Sequence, residues 1–160
     1  MTELAEILEP QLEPIRRFYI ADMTDKGQWV LDRILKAYPN QNQRSAIGWL
    51  NGIIDQNENL CLSMGPPGEA PRAVCFAERY CTDRLAGKMV VREVFVWVQD
   101  PENALLVQQA SEFYLHMADW AKHQGIEKVI VCERSDVPIT AVREKFGGKL
   151  HEFKTHFARV

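Results

Sequence analysis

Glu93 stands in the run REVFVWVQDPE, residues 92–102, with apolar residues close on both sides. Strict strand alternation would place it on one face with Met89, Val91, Phe95 and Trp97. A carboxyl desolvated in that way has its pKa driven toward the range a general base needs. The bland alternative is an ion pair with an arginine of an adjacent strand, Arg79 for example. Just beyond, VWVQDPENALLVQQASEFY (96–114) passes from β-branched and aromatic residues straight into a helical pattern. Junctions of this kind bind phosphates through backbone amides, with glycines that let the chain approach the anion. Not one glycine lies between Lys88 and Gln124. Asp100 and Glu102 instead bring two carboxylates to the helix start, where the helix dipole favours them. A diphosphate would be repelled there, by about 1 kcal/mol per charge pair at about 4 Å in water and several times that when partly buried. We expect Asp100 or Glu102 to accept hydrogen bonds from the free amides, giving a capped helix and no anion cradle.

Other residue clusters point to less. His116 and His123 lie seven apart on a polar helix face with no third ligand, and His151 and His156 fall on opposite faces of a strand-like segment. Cys61, Cys75, Cys81 and Cys132 show no CxxC spacing, and buried free thiols are the simpler reading. No metal site is expected, and no Gly-rich phosphate motif, HExxH or Ser/His/Asp signature is present. Trp29, Trp49 and Trp97 are candidates to line a groove or an interface.

The elements that must position these residues follow from periodicity. The chain has 160 residues, 46% hydrophobic and 26% charged, which suits one ordinary globular domain. A net charge of −3 with no basic block argues against nucleic acid, and the apolar run Val94–Val98 is far too short to span a membrane. No secretory signal is evident, so a reducing, cytoplasmic setting is expected. Residues 1–14 form an N-terminal arm with Leu4, Ile7, Leu8 and Leu12 at helical spacing, and 15–160 form the domain. Within that domain a short strand in IRRFYIADM precedes helices over 24–38 and 43–55, the second with Ile47, Leu50 and Ile54 on one face. Strands then fall on NLCLSM, AVCFAERYC and the long, doubly covered KMVVREVFVWVQ. One long helix spans 101–124, KVIVCE is a buried strand, and VPITAVREKFG is a helix capped by Ser135 or Asp136. KLHEFKTHFARV closes the chain as one or two strands.

In this order of elements, and in REVFVWVQDPE, WAKHQGIEKVIVCERSD and VREKFGGKLHEFKTHFARV, the chain resembles the GNAT superfamily of acetyl-CoA-dependent N-acetyltransferases. The resemblance covers about residues 15–160. It implies an α/β (α+β) fold: a mixed, mostly antiparallel central sheet, flanked by helices, whose fourth and fifth strands run parallel and splay apart. It also implies a cofactor loop, Arg/Gln-x-x-Gly-x-Gly/Ala, at the positions that read ENALLV (102–107) here, without glycine or arginine. The tyrosine that many members use as general acid is replaced by Arg143 within REKFGG, and the phenylalanine that follows it by Gly148. Glu93 matches the position where several members carry a catalytic carboxylate. If the chain is active, the resemblance implies acetyl-CoA held by strand amides at Val96 and Val98 and by Asn103 and Ala104. The degraded loop implies instead no cofactor and a binding or assembly module, like the GNAT-like structural or accessory proteins of tailed-phage virions. Its partner would be another protein or a second copy, met through the N-terminal arm.

Overall fold

The computed structural model describes residues 14–18, 27–55, 58–66, 68–131 and 135–146. The arm 1–13, Cys132, Gly147, Gly148, His151, His156 and the closing strands expected after residue 148 lie outside the described residues.

The elements are β1 (Ile15–Arg17), α1 (Gly27–Ala37), α2 (Gln43–Asp55), β2 (Asn59–Met64), β3 (Ala73–Asp83), β4 (Lys88–Val98), α3 (Ala104–Ala110), α4 (Glu112–His123), β5 (Val129–Ile130) and α5 (Ile139–Phe146). The strands form one sheet in the order β1-β2-β3-β4-β5, antiparallel except for the parallel β4–β5 pair. The two helices between β4 and β5 supply the crossover that a parallel pair requires. Helix α1 buries Val30, Leu31 and Ile34 and ends just before Tyr38 and Pro39. At the start of α2 the Asn42 side chain accepts from the Ser45 amide at 2.8 Å, an N-cap. The core side of α2 is Ala46, Leu50, Ile53 and Ile54; Ile47, expected inside, is exposed. At the β3–β4 turn Asp83 accepts from the amides of Leu85 and Ala86, and Gly87 takes the positive φ that closes it.

Helices cover both faces of the sheet, as the apolar β4 pattern predicts. On one face α1 and α2 pack against Cys61, Val74, Phe76, Phe95 and Trp97. On the other α3, α4 and α5 pack against Cys75, Ala77, Val91, Val96 and Val98. Strict alternation along β4 fails at one place. Phe76 pairs with Phe95 and Ala77 with Glu93, so Val94 has no counterpart on β3 and forms a bulge. Glu93 therefore keeps its face with Val91, while Phe95 and Trp97 turn to the α1–α2 side. The expected companionship of Glu93 with Phe95 and Trp97 is overturned by that one extra residue.

The expected single helix over 101–124 is two. Helix α3 starts at Ala104, not Pro101, and Ser111 separates it from α4. The Ser111 hydroxyl bonds back to the Gln108 carbonyl at 2.5 Å, a local competitor of the kind that bends helices.

Candidate functional site

Glu93 is 1% exposed and sits beneath α4. The Tyr114 hydroxyl donates to its Oε1 at 2.5 Å, and the Ser135 hydroxyl lies 3.0 Å from the same phenol oxygen. Burial, and then the Glu93 carboxylate beside it, push the Tyr114 pKa well above the ordinary tyrosine range, so the phenol is a neutral donor. Its single proton goes to the shorter, charge-assisted bond with Glu93. The sequence reading missed Tyr114. Its signal was a tyrosine within an apolar helix stripe, since a buried hydroxyl needs a partner. Arg79, the alternative partner, lies across from Val91 on β3, and its Nε is buried without a hydrogen-bond partner among the described residues.

The parallel pairing of β4 with β5 is limited to Val91–Val129 and Arg92–Ile130. Further along β4, residues 135–136 take over the strand's edge. The Val96 carbonyl accepts from the Asp136 amide at 3.0 Å and from the Ser135 hydroxyl at 3.1 Å. The Val98 amide donates to Asp136 Oδ2 at 2.8 Å, and Arg33 Nη2 reaches the same oxygen at 2.8 Å. The Arg33 guanidinium also lies 5.2 Å from the Trp97 ring centroid and 5.8 Å from that of Trp29. Ser135 or Asp136 was expected to cap the following helix. Ser135 does accept from the Val137 amide at 3.4 Å, but the Asp136 carboxylate is turned to β4.

At the start of α3 the expected carboxylate cap is replaced. The Asn103 side chain accepts from the Leu106 amide at 3.2 Å. The Asp100 carboxylate accepts from the Glu102 amide at 3.2 Å and its carbonyl from the Asn103 amide at 3.1 Å, both in the turn before the helix. Asn103 and Ala104 thus sit at the capped first turn of a seven-residue helix. Arg143, in the place of the family's tyrosine, is exposed on α5. His116 and His123 are exposed, and no cluster of metal-ligating side chains occurs among the described residues. Cys61, Cys75 and Cys81 are free thiols.

A groove of about 260 Å³ opens on the opposite face of the sheet from Glu93. Val94 and Phe95 form its floor, Ile34 and Tyr38 one wall, Ala46 and Trp49 the other. Trp49 is 43% exposed and Tyr38 55%. Of the three tryptophans grouped in the sequence, Trp49 lines this groove, with its ring 6.3 Å from Phe95. Trp97 is buried and stacked on Phe95 at 3.8 Å.

Solved structures that superpose on this chain include acetyltransferases. A predicted acetyltransferase with acetyl-CoA from Clostridium acetobutylicum superposes with a TM-score of 0.65 at 9% identity, over 92% of this chain and 95% of that one. This is the GNAT acetyltransferase fold. An aminoglycoside antibiotic 6'-N-acetyltransferase from Acinetobacter haemolyticus gives 0.59 at 14% identity, over 92% of this chain and 98% of that one. A GNAT family acetyltransferase from Staphylococcus aureus gives 0.61 at 8% identity, over 94% and 100%. At such identities the likeness is one of GNAT fold alone. No family model matches the chain, and no curated protein matches it in sequence.

Proposed function

We propose that this chain is a non-catalytic binding or assembly module built on the GNAT fold. The observation that carries the reading is the edge of β4 at Val96–Val98, where a cofactor would need open backbone groups. Asp136 accepts from the Val98 amide, and Ser135 and Asp136 both donate to the Val96 carbonyl. The glycine-free turn at 100–104 agrees with it, since Asn103 caps α3 and Asp100 adds negative charge. The residues present do not fit acetyl-CoA at either place. A virion structural or accessory role is the form of this reading that the sequence resemblance implies.

One observation favours an active N-acetyltransferase instead. A fully buried carboxylate hydrogen-bonded to a buried phenol is the kind of perturbed pair that catalytic sites contain. Glu93, however, faces the side of the sheet away from the groove lined by Trp49 and Phe95. The deciding experiment is a thermal shift with acetyl-CoA. A ligand at 100 times its dissociation constant stabilises the native state by about 2.7 kcal/mol, several degrees for a domain of this size. We expect no shift at millimolar acetyl-CoA. A clear shift would overturn the binding-module reading.

A further inference from the structure

Asp136 completes on β4 a hydrogen-bond pattern that belongs to a neighbouring strand. In a parallel pair, a residue donates its amide to one carbonyl of the facing strand. Through its own carbonyl it accepts from the amide two residues further along. The Asp136 amide donates to the Val96 carbonyl at 3.0 Å, and the Val98 amide donates to Asp136 at 2.8 Å. Asp136 therefore stands opposite Trp97 as a parallel strand residue would. The acceptor, however, is its side-chain Oδ2 and not its backbone carbonyl. Among the described residues β5 itself pairs only as far as Arg92–Ile130. The edge at 96–98 is closed by a substitute.

Polar contacts hold that substitute in place. Arg33 Nη2 clasps the same Oδ2 at 2.8 Å, and both side chains are partly exposed. The Ser135 hydroxyl donates to the Val96 carbonyl at 3.1 Å. Ser135 and Asp136 are half-buried, and the buried apolar residue of the turn is Val137. Withdrawing Ser135 and Asp136 from the edge exposes little apolar surface. The bonds given up are of the kind that water or a ligand replaces at small net cost.

The covered edge has a definite chemistry. Val96 offers an acceptor and Val98 a donor, two residues apart on one side of the strand. An extended chain of amides, giving one N–H and accepting through one C=O, satisfies both. The pantetheine arm of acetyl-CoA is such a chain. It is uncharged, so Asp100 and Glu102, which oppose a diphosphate, do not oppose it.

We infer that Ser135 and Asp136 are an autoinhibitory occupant of the β4 edge, clasped by Arg33, and that opening the clasp uncovers a site for an uncharged amide chain of the pantetheine kind. The inference rests on the binding-module reading, in which acetyl-CoA finds this edge closed. It adds what closes the edge and what the edge takes when open.

Two measurements on the full chain test it. The first is native-state hydrogen exchange of the wild type and of Arg33→Met, which loses the clasp but keeps a long side chain. The Val98 amide should exchange through a local opening that low urea hardly affects. The Val91 amide, held by the Lys128 carbonyl at 2.9 Å, should exchange with the whole fold and accelerate with urea. Arg33→Met should speed Val98 exchange about tenfold, the loss expected of one charge-assisted bond. Val98 exchange that rises with urea as steeply as that of Val91 would overturn the inference, because the edge would then open only on unfolding.

The second is a chemical-shift titration with pantetheine at millimolar concentration, using the wild type, Arg33→Met and Asp136→Ala, each checked for fold by circular dichroism. A larger open fraction raises apparent affinity in proportion, so the variants should bind about tenfold more tightly than the wild type, with shifts centred on Val96–Val98. Should Asp136→Ala fail to fold, Arg33→Met decides alone. Folded variants that bind pantetheine no better than the wild type overturn the inference. Either failure leaves the flat acetyl-CoA response of the wild type standing, whereas a wild-type shift with acetyl-CoA sinks the module reading itself.

Discussion

Tyr114 and Glu93 illustrate how a single buried contact sets the energetics of a site. A carboxylate that is 1% exposed is tolerable only while its charge is met by donors, and the Tyr114 phenol is one such donor at 2.5 Å. Tyr114→Phe removes that hydroxyl while leaving the ring in place. Loss of a hydrogen bond to a charged group should cost about 1.5–3 kcal/mol in urea denaturation. Glu93→Gln keeps an acceptor for the phenol and should cost less than Tyr114→Phe. Equal losses from the two would mean that a neutral acceptor cannot stand in for the carboxylate and that its charge carries the whole bond. Sequence reading located Glu93 as a buried carboxyl but misassigned its neighbours. Alternation is a property of regular strands, and nothing in VREVFVW announces that Val94 will be left without a counterpart on β3. Tyr114 went unnoticed for a related reason: its partner is 21 residues away, and the pairing exists only once α4 is laid across β4.

At the scale of elements, the turn at 135–137 governs the site more than any helix does. It lies alongside β4 where β5 would continue, and through Asp136 it ties that edge to Arg33 on α1. Asp136→Ala would strip the Val98 amide of its acceptor and leave Arg33 beside two aromatic rings without its ion pair. Both partners are partly buried, so a loss of about 2–3 kcal/mol is expected from denaturation. Asp136→Asn retains an acceptor for Val98 and should recover part of it. If neither variant changes stability, the edge is not held by this carboxylate. The cap of α3 gives a smaller effect: Asn103→Ala should cost about 1 kcal/mol, with Asp100→Ala near neutral. A larger loss from Asp100→Ala would reinstate the carboxylate as the cap. Among the described residues, the order and type of the elements were largely legible in the sequence because helix and strand periods differ and Pro39, Pro101 and Gly125 punctuate them. The break at Ser111 was not, since serine is an ordinary helix residue until its hydroxyl bonds back to Gln108.

At the scale of the whole molecule, the buried thiols Cys61 and Cys75 and the Tyr114 phenol, among the described residues, give the fold a particular sensitivity to alkali. Burial pushes the Cys61 thiol up to about 12 from 9.0. Burial, with the Glu93 carboxylate adding to it, holds the Cys75 thiol well above 9.0. Tyr114 is raised above 10.0 by burial and by Glu93. All three keep their protons in the folded state at a pH where the unfolded chain has released them. The unfolded state then binds fewer protons than the native one, so stability falls as pH rises. The stabilising contribution is complete below about pH 9, erodes from there, and for Cys61 is spent near 12. Each such group steepens the decline by about 1.4 kcal/mol per pH unit once its unfolded-state pKa is passed. The thiols titrate first in the unfolded chain, so the interval between pH 9 and 10 belongs to Cys61 and Cys75, and only above it does Tyr114 join. Urea denaturation of the wild type and of Cys61→Ala/Cys75→Ala, at steps from pH 8 to 10.5, separates them. The double variant starts less stable because two buried side chains are shortened, but its stability should stay nearly level to about pH 10, whereas the wild type declines from about 9. Parallel curves for the two proteins would mean that the thiols ionise as readily in the fold as out of it, and that the alkaline decline has another source.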